Sequence, residues 1–161
     1  MSADSVRDAS ASLEDALARA YRFLGRRDRT VAEVRAHLLA KGVREPAAEQ
    51  AIAELAEQGY LDDARFARRF AEDRRSLDSW GSERIERRLR ELGVAREHVA
   101  AAVADGAQGE LDDAVALLRR RFPALPGTDR DRERALGLLV RRGYELELAY
   151  DAIRALGRDA A

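Results

Sequence analysis

Cysteine is absent from this chain, and proline, tryptophan and lysine are scarce. Its 161 residues include 0 cysteines, 3 prolines and 1 tryptophan, and Lys41 is the single lysine. Without cysteine, disulfides and thiolate metal sites are excluded. A metal site would have to use His37, His98 and carboxylates, and the two histidines show no recognisable ligand or triad spacing. Because a glycine-rich phosphate loop is also missing, we expect no enzyme, no metal and no cofactor.

Long apolar runs are absent as well. No uncharged stretch is long enough to cross a bilayer, and the first residues lack the apolar segment of a signal peptide. We therefore expect a cytoplasmic protein without a membrane partner. Charge of one sign is not in excess either, since 37% of the residues are charged but the formal net charge is only -1. This balance is unlike that of a strongly basic nucleic-acid binder and argues weakly against direct DNA binding.

A threefold internal repeat is the main positive feature. Gly42, Gly93 and Gly143 occupy the same place in blocks of about fifty residues. In each block the glycine follows a pair of apolar residues at helical spacing: Val34 and Leu38, Ile85 and Leu89, Ala135 and Leu139. Such repeats are typical of supersecondary units that stack and present an extended surface rather than a deep pocket. The repeat therefore favours a binding protein.

Apolar residues recur every three or four positions throughout, and no segment alternates with period two. The sequence predicts an all-α protein of about nine helices, arranged as three tandem three-helix repeats in an elongated curved array. The predicted parts are a disordered N-terminal tail at 1–12 and repeats at 13–61, 62–108 and 109–161.

Several helix ends can be predicted from local signals. Thr30 and Glu33 form a capping-box pattern, and the three repeat glycines are placed to end helices in the left-handed conformation. The acidic pairs Asp62-Asp63 and Asp112-Asp113 open helices, where capping explains them better than metal binding does. Phe66, Ala67, Phe70 and Leu77 are the apolar residues of the first helix of the second block, and we expect the Phe66 and Phe70 rings to lie in the core.

Arg84 and Arg88 are the leading candidates for partner binding. They lie four positions apart on one helix face and repel each other, and Arg84 has no carboxylate three or four residues away. Arg84 also falls in a first helical turn, where the helix dipole disfavours a cation. Violations of this kind point to a partner that supplies negative charge, either phosphate or an acidic protein surface. For Arg88, the alternative is a place along the core edge, facing a carboxylate of another helix.

Two further candidates lie close to these arginines. Arg74 follows Phe70 by one helical turn and can form an interior ion pair, with Asp62 or Asp63, or an outward contact. Trp80 can cover a helix junction or stack on a base or a partner side chain. The remaining candidate binding positions are arginines of the same helix as Phe70 or of helix C-termini, where the dipole already favours positive charge. They are Arg68, Arg69, Arg119, Arg120, Arg141 and Arg142.

The central stretch from Tyr60-Leu61-Asp62-Asp63 through Phe66 and Phe70 to Trp80-Gly81, Arg84-Ile85, Leu89 and Gly93-Val94 resembles the signature of the RecX family of bacterial recombination regulators. The likeness extends from about Leu17 to Leu156. It implies three three-helix repeats and a monomeric, non-enzymatic modulator of the RecA recombinase. Such a protein would bind the RecA filament on single-stranded DNA and restrain its recombinase, ATPase and co-protease activities in DNA repair and the SOS response.

The sequence is also compatible with two other functions. A direct DNA-binding module with helix-turn-helix-like second and third helices would bind naked DNA with a steep salt dependence. A helical scaffold for another protein would bind neither DNA nor recombinase. Two features depart from the family that this chain resembles. Its members are often basic, whereas this chain is nearly neutral, and in block two Leu92 rather than lysine precedes the glycine.

Overall fold

A computed structural model describes the backbone of residues 3–124 and 126–158 and the side chains of residues 12–124 and 126–158. Within these ranges the chain forms nine α-helices and one short 3₁₀ turn without any strand, which confirms the all-α prediction. The helices are α1 (Ala3–Leu24), α2 (Val31–Ala40), α3 (Glu45–Glu57), α4 (Asp63–Asp78), α5 (Ser82–Glu91), α6 (Arg96–Ala104), α7 (Glu110–Arg121), α8 (Asp129–Arg142) and α9 (Leu146–Arg158). The 3₁₀ turn covers Ala107–Gly109.

The first helix begins earlier than the sequence analysis places it. α1 starts at Ala3, so it includes most of the stretch predicted to be a disordered tail. No glycine or proline interrupts residues 1–12, and alanines recur there, so nothing in the local sequence stops a helix that begins before Leu13. Met1 and Ser2 lie outside the described residues.

The chain forms two compact units. The first comprises Met1–Phe66 with Glu91–Ala95, and the second comprises Ala67–Arg90 with Arg96–Ala161. In the first unit, α1, α2 and α3 pack together around fully buried residues such as Val34, Leu38 and Leu55. In the second, α7, α8 and α9 surround a core that includes Leu118, Leu139 and Tyr144.

The buried side of α4 differs from the prediction. Its buried residues are Ala67 and Ala71, while Phe66 and Phe70 are only half-buried. Of the other two residues in the predicted apolar pattern, Ala67 is fully buried and Leu77 is 73% exposed. The inward face of α4 therefore carries small residues, and its Phe66 and Phe70 rings lie between the interior and the solvent.

The helix ends follow the local signals. Thr30 accepts a hydrogen bond from the Glu33 amide at 3.1 Å, and the Glu33 carboxylate accepts one from the Thr30 amide at 3.0 Å, which confirms the capping box. The three repeat glycines have φ values of 80°, 81° and 89°, as expected for left-handed helix caps. At Gly143 the amide of Tyr144 reaches back to the Leu139 carbonyl at 3.1 Å, which is the Schellman arrangement.

In the second unit, the C-terminus of α8 meets the N-terminus of α5. The Gly81 amide donates to the Arg142 carbonyl at 2.8 Å, and the Glu83 amide donates to the Gly143 carbonyl at 3.0 Å. Each helix terminus leaves backbone groups without partners inside the helix, and here the free carbonyls of one end satisfy the free amides of the other. The opposite partial charges of the two ends also attract.

In the first unit, a hydrogen bond joins residues at the same positions of the repeat as Gly81 and Arg142. Thr30 corresponds to Gly81 and Leu92 to Arg142, and the Thr30 hydroxyl donates to the Leu92 carbonyl at 2.6 Å. The equal spacing of the glycines in the sequence therefore reflects more than helix termination. At Gly93 and Gly143 alike, a Cβ atom would collide with the first turn of another helix, at Ala32 and Arg84 respectively.

Candidate partner-binding site

The loop between α4 and α5 gathers three of the candidate residues in one place. α4 ends at Asp78, and Ser79 then adopts a positive φ of 53°, which is uncommon for a residue other than glycine. The Ser79 and Trp80 amides donate to the carbonyls of Arg75 and Arg74, both at 3.1 Å. This tight turn brings the indole of Trp80 next to Phe70 of α4, at a centroid distance of 6.2 Å and an angle of 70°.

We call Phe70, Arg74, Trp80 and Arg84 the Trp80 cluster. The Arg84 guanidinium lies over the indole at 4.2 Å from the ring centroid, and that of Arg74 lies 5.8 Å from it. Both distances are within the range of cation–π attraction. Trp80 thus covers the junction of α4 and α5, which was one of its two predicted roles, and it also holds a guanidinium in place.

Arg84 has no carboxylate partner among the described residues. Its Nη1 donates to the Arg141 carbonyl at the end of α8, at 3.2 Å, and its guanidinium is stacked on Trp80. The α8 carbonyl offsets the unfavourable place of a cation in the first turn of α5, because it lies at the negative end of another helix. A guanidinium has five N–H donors in a planar fork. The side chain is half-exposed, so most of these donors are available to a carboxylate or phosphate.

Arg74 forms an ion pair, but with a different residue than predicted. Its Nη1 lies 2.5 Å from Oδ2 of Asp78, one turn further along α4. The predicted pairing with Asp62 or Asp63 is wrong, because both lie at the start of α4, about three helical turns from Arg74. Asp62 caps α4 by accepting from the Arg65 amide at 2.9 Å. Asp63 instead accepts from the Val31 amide at 3.0 Å. These carboxylates satisfy backbone amides at helix starts, as their capping interpretation requires.

Two of the helix-terminal arginines hold the end of α4. Arg120 donates to the Ser79 hydroxyl at 2.7 Å, and Arg142 donates to the Asp78 carbonyl. Both contacts join residues far apart in the sequence, and neither Ser79 nor Asp78 carries a pattern that marks it in advance. Arg120 and Arg142 therefore position the turn that carries Trp80, which is a different role from direct binding.

The other candidates lie outside the Trp80 cluster. Arg88 is exposed and has a partner within the chain. Of the two arginines that we expected to be unpaired, only Arg84 is shown to lack a carboxylate partner among the described residues. Arg69 and Arg119 likewise have partners. Arg68 lines a shallow groove with Glu72 and Arg75. Arg141 lines another groove, between α7 and α8.

Glu110 is a residue that sequence reasoning missed. Its carboxylate accepts hydrogen bonds from the amide and the hydroxyl of Ser82, both at 2.7 Å, and so holds the first residue of α5.

Among the described residues no group of histidine, aspartate and glutamate is arranged to hold a metal ion. None of the helices in that part of the chain is long and apolar enough to span a membrane.

Comparison with known proteins connects this arrangement to a family. A family model described as the first three-helix domain of RecX matches residues 16–55, and the model of the second three-helix domain matches residues 62–103. A regulatory protein RecX from Mycobacterium sp. (strain JLS) is 33% identical over 147 residues, which are 87% of this chain and 80% of that protein. The chain belongs to the RecX family. Another RecX regulatory protein, from Thermobifida fusca (strain YX), is 35% identical over 153 residues, or 90% of this chain and 82% of that one.

Solved RecX structures have the same fold. The crystal structure of RecX from Lactobacillus salivarius superimposes with a TM-score of 0.82 over 92% of this chain and 98% of that chain, at 17% identity. A second RecX crystal structure gives a TM-score of 0.77 at 19% identity. The helical-repeat fold predicted from glycine spacing is therefore confirmed, and the RecX resemblance read from the central motif is correct.

Proposed function

We propose that this chain is a non-enzymatic cytoplasmic regulator that binds the RecA filament on single-stranded DNA and restrains its recombinase, ATPase and co-protease activities. Membership of a family of regulatory proteins supports the general role. The observation that carries the binding site is Arg84, a half-exposed guanidinium held between Trp80 and a helix-terminal carbonyl without a carboxylate partner among the described residues.

The Trp80 cluster is suited to an acidic partner because its cation is already ordered. An arginine side chain loses up to about 2 kcal/mol of rotamer entropy when it is fixed. Stacking on the indole and bonding to the Arg141 carbonyl fix Arg84 before any partner arrives. A carboxylate or phosphate that meets it then gains a charge-assisted, bidentate contact at a smaller entropic cost.

The test is recombinase ATP hydrolysis on single-stranded DNA, titrated with wild-type protein and with single variants. Arg84→Ala is expected to weaken inhibition about tenfold or more, which corresponds to the loss of roughly 1.4 kcal/mol of binding free energy. Arg84→Lys keeps the charge but loses the planar fork, so we expect an intermediate effect. Arg90→Ala is the matched control, because Arg90 lies on the same helix and pairs with Glu86 on the surface.

Three results would count against the proposal. Undiminished ATP hydrolysis with wild-type protein in excess would refute filament regulation itself. Equal losses for Arg84→Ala and Arg90→Ala would mean that only general charge matters. A large drop in melting temperature for Arg84→Ala with inhibition intact would assign Arg84 a purely structural role.

A further inference from the structure

A second cationic surface lies in the first unit, far in sequence from the Trp80 cluster. Between α1 and α2 there is an open groove of about 280 Å³ lined by Arg19, Arg22, Phe23, Arg26, His37 and Lys41. It contains the only lysine of the chain and no lining carboxylate. In a chain with a net charge of -1, this concentration of cations is local, so global charge is a poor guide to what the groove binds.

The cations of the groove are largely available to a ligand. Arg22, Arg26 and Lys41 are exposed. Neither the Arg26 nor the Lys41 side chain makes a hydrogen bond or ion pair with the described residues, and Arg22 makes only a long contact of 3.4 Å to the Ala18 carbonyl. Arg19 is paired with Asp15 at 2.8 Å. Arg19 and Arg22 lie one turn apart on α1, and Arg26 follows two residues after the end of that helix.

Two aromatic rings are part of the lining of the groove. The rings of Phe23 and His37 are parallel, at a centroid distance of 3.9 Å and an angle of 1°. The Arg29 guanidinium lies 4.0 Å from the Phe23 centroid, and so it must occupy the opposite face of that ring. Burial, together with the nearby charges of Lys41, Arg29, Arg19 and Arg26, lowers the pKa of His37 below its ordinary value. At neutral pH, His37 therefore contributes a flat, uncharged ring beside a row of cations.

From these observations we propose that the groove between α1 and α2 is a binding site for single-stranded nucleic acid. Arg22, Arg26 and Lys41 contact successive backbone phosphates, and a base stacks on the outer face of the His37 ring, whose other face is covered by Phe23. A row of cations beside an aromatic platform is how sequence-tolerant single-strand sites work, because every phosphate is negative and every base has a flat face. An acidic protein segment would use the cations but would gain little from the rings.

A groove of similar composition occurs in the second unit. Between α7 and α8, Arg121, Phe122, Arg130, Arg134 and Arg141 line an open volume of about 540 Å³, together with Leu138 and one carboxylate, Glu133. There too an aromatic residue, Phe122, directly follows arginines at the end of the first helix of a repeat, which is α7. Leu138 stands at the repeat position of His37, so this groove has no stacked ring pair, and Glu133 weakens its field. The first-unit groove is therefore the stronger site.

The experiment measures fluorescence anisotropy of a labelled short oligothymidylate with the full chain, in the absence of recombinase. The groove variant replaces Arg22, Arg26 and Lys41 with glutamine. The matched control replaces Arg90, Arg132 and Arg154, three exposed arginines that pair with Glu86, Asp129 and Asp151, so it removes the same charge. All six positions are exposed, so both proteins are expected to fold, which circular dichroism checks.

We expect the groove variant to bind about tenfold or more weakly, and the slope of log K against log salt to fall in magnitude by about 2 for three lost phosphate contacts. His37→Ala is expected to weaken binding about fivefold or more through lost stacking. It should leave the salt slope unchanged, because no phosphate contact is removed. The control should bind like the wild type.

Several outcomes would overturn the proposal. These are a wild-type protein that does not bind the oligonucleotide at low salt, equal losses in the groove and control variants, and a groove variant that binds as wild type. In the last case, a simultaneous loss of filament inhibition would identify the groove as a protein-binding surface instead. Because binding is measured on naked DNA, the result does not depend on whether the chain regulates a recombinase.

Discussion

Replacement of Gly143 by alanine is the sharpest test of the contact between α8 and α5. Gly143 has a φ of 89°, which costs an L-residue roughly 1–2 kcal/mol relative to glycine. Its missing side chain also leaves the space that the first turn of α5 occupies, since a Cβ atom there would overlap the backbone amide and Cβ of Arg84. Gly81, on the other side, faces the Gly143 backbone in the same way.

The expected destabilisation is the sum of these two effects. Overpacking of a rigid contact typically adds about 1–3 kcal/mol, so Gly143→Ala should lower the free energy of unfolding by about 2–5 kcal/mol. Gly42→Ala is the matched control. It has a similar φ of 80°, but no atom lies within 4 Å of its would-be Cβ, so only the conformational cost of about 1–2 kcal/mol applies.

Urea unfolding followed by far-UV circular dichroism gives both free energies, and the fluorescence of Trp80, the single tryptophan, reports on the second unit. Because the start of α5 carries Arg84, we also expect Gly143→Ala to weaken filament inhibition while Gly42→Ala leaves it intact. If Gly143→Ala costs no more than Gly42→Ala, the two helix ends are not in tight contact, and the explanation offered for the repeat glycines is wrong.

Three further predictions concern buried polar groups. The Tyr144 hydroxyl is buried without a hydrogen-bond partner among the described atoms. Tyr144→Phe is therefore expected to leave the free energy of unfolding unchanged or raise it by about 1 kcal/mol. A clear loss of stability would mean that the hydroxyl has a partner. Burial raises the pKa of Tyr144 to about 12. The Tyr144 hydroxyl therefore holds its proton more tightly in the folded state than in the unfolded state, so the free energy of unfolding should fall as pH rises from about 10 towards 12. Alkaline unfolding curves of Tyr144→Phe should lack this effect. Thr30→Val removes a hydroxyl that caps α2 and donates to Leu92, and a cost of about 2–4 kcal/mol in urea unfolding is expected, whereas Thr30→Ser should be nearly neutral. Similar values for the two Thr30 variants would contradict this role.

Features that depend on a few neighbouring residues were predictable from the sequence. The Thr30–Glu33 capping box, the left-handed glycines and the capping role of Asp62 all arise within one or two helical turns, so the local pattern determines them. The all-α fold follows from the period of the apolar residues for the same reason. The family, too, could be recognised from the motif around Trp80 and Arg84, because its residue types and spacing are specific.

Partners across the fold were harder to predict. Arg74 pairs with Asp78, one turn away, rather than with Asp62 or Asp63, because those two lie about three helical turns away at the other end of α4. In the groove of the first unit, the sequence shows that Arg19, Arg22 and Arg26 lie near one another at the end of the first helix. That these arginines lie beside His37 and Lys41 depends on how α1 packs against α2.

The amino-acid sequence by itself determined where helices begin and end, how often the pattern repeats, and which arginine lacks a nearby carboxylate. Only the tertiary structure decided what replaces that carboxylate, namely the ring of Trp80 and the carbonyl of Arg141 at the end of a distant helix. The physical reason is range: capping and helical periodicity act over a few residues. Contacts between helix ends such as Gly81 and Arg142 depend on the packing of helices that are far apart in the chain.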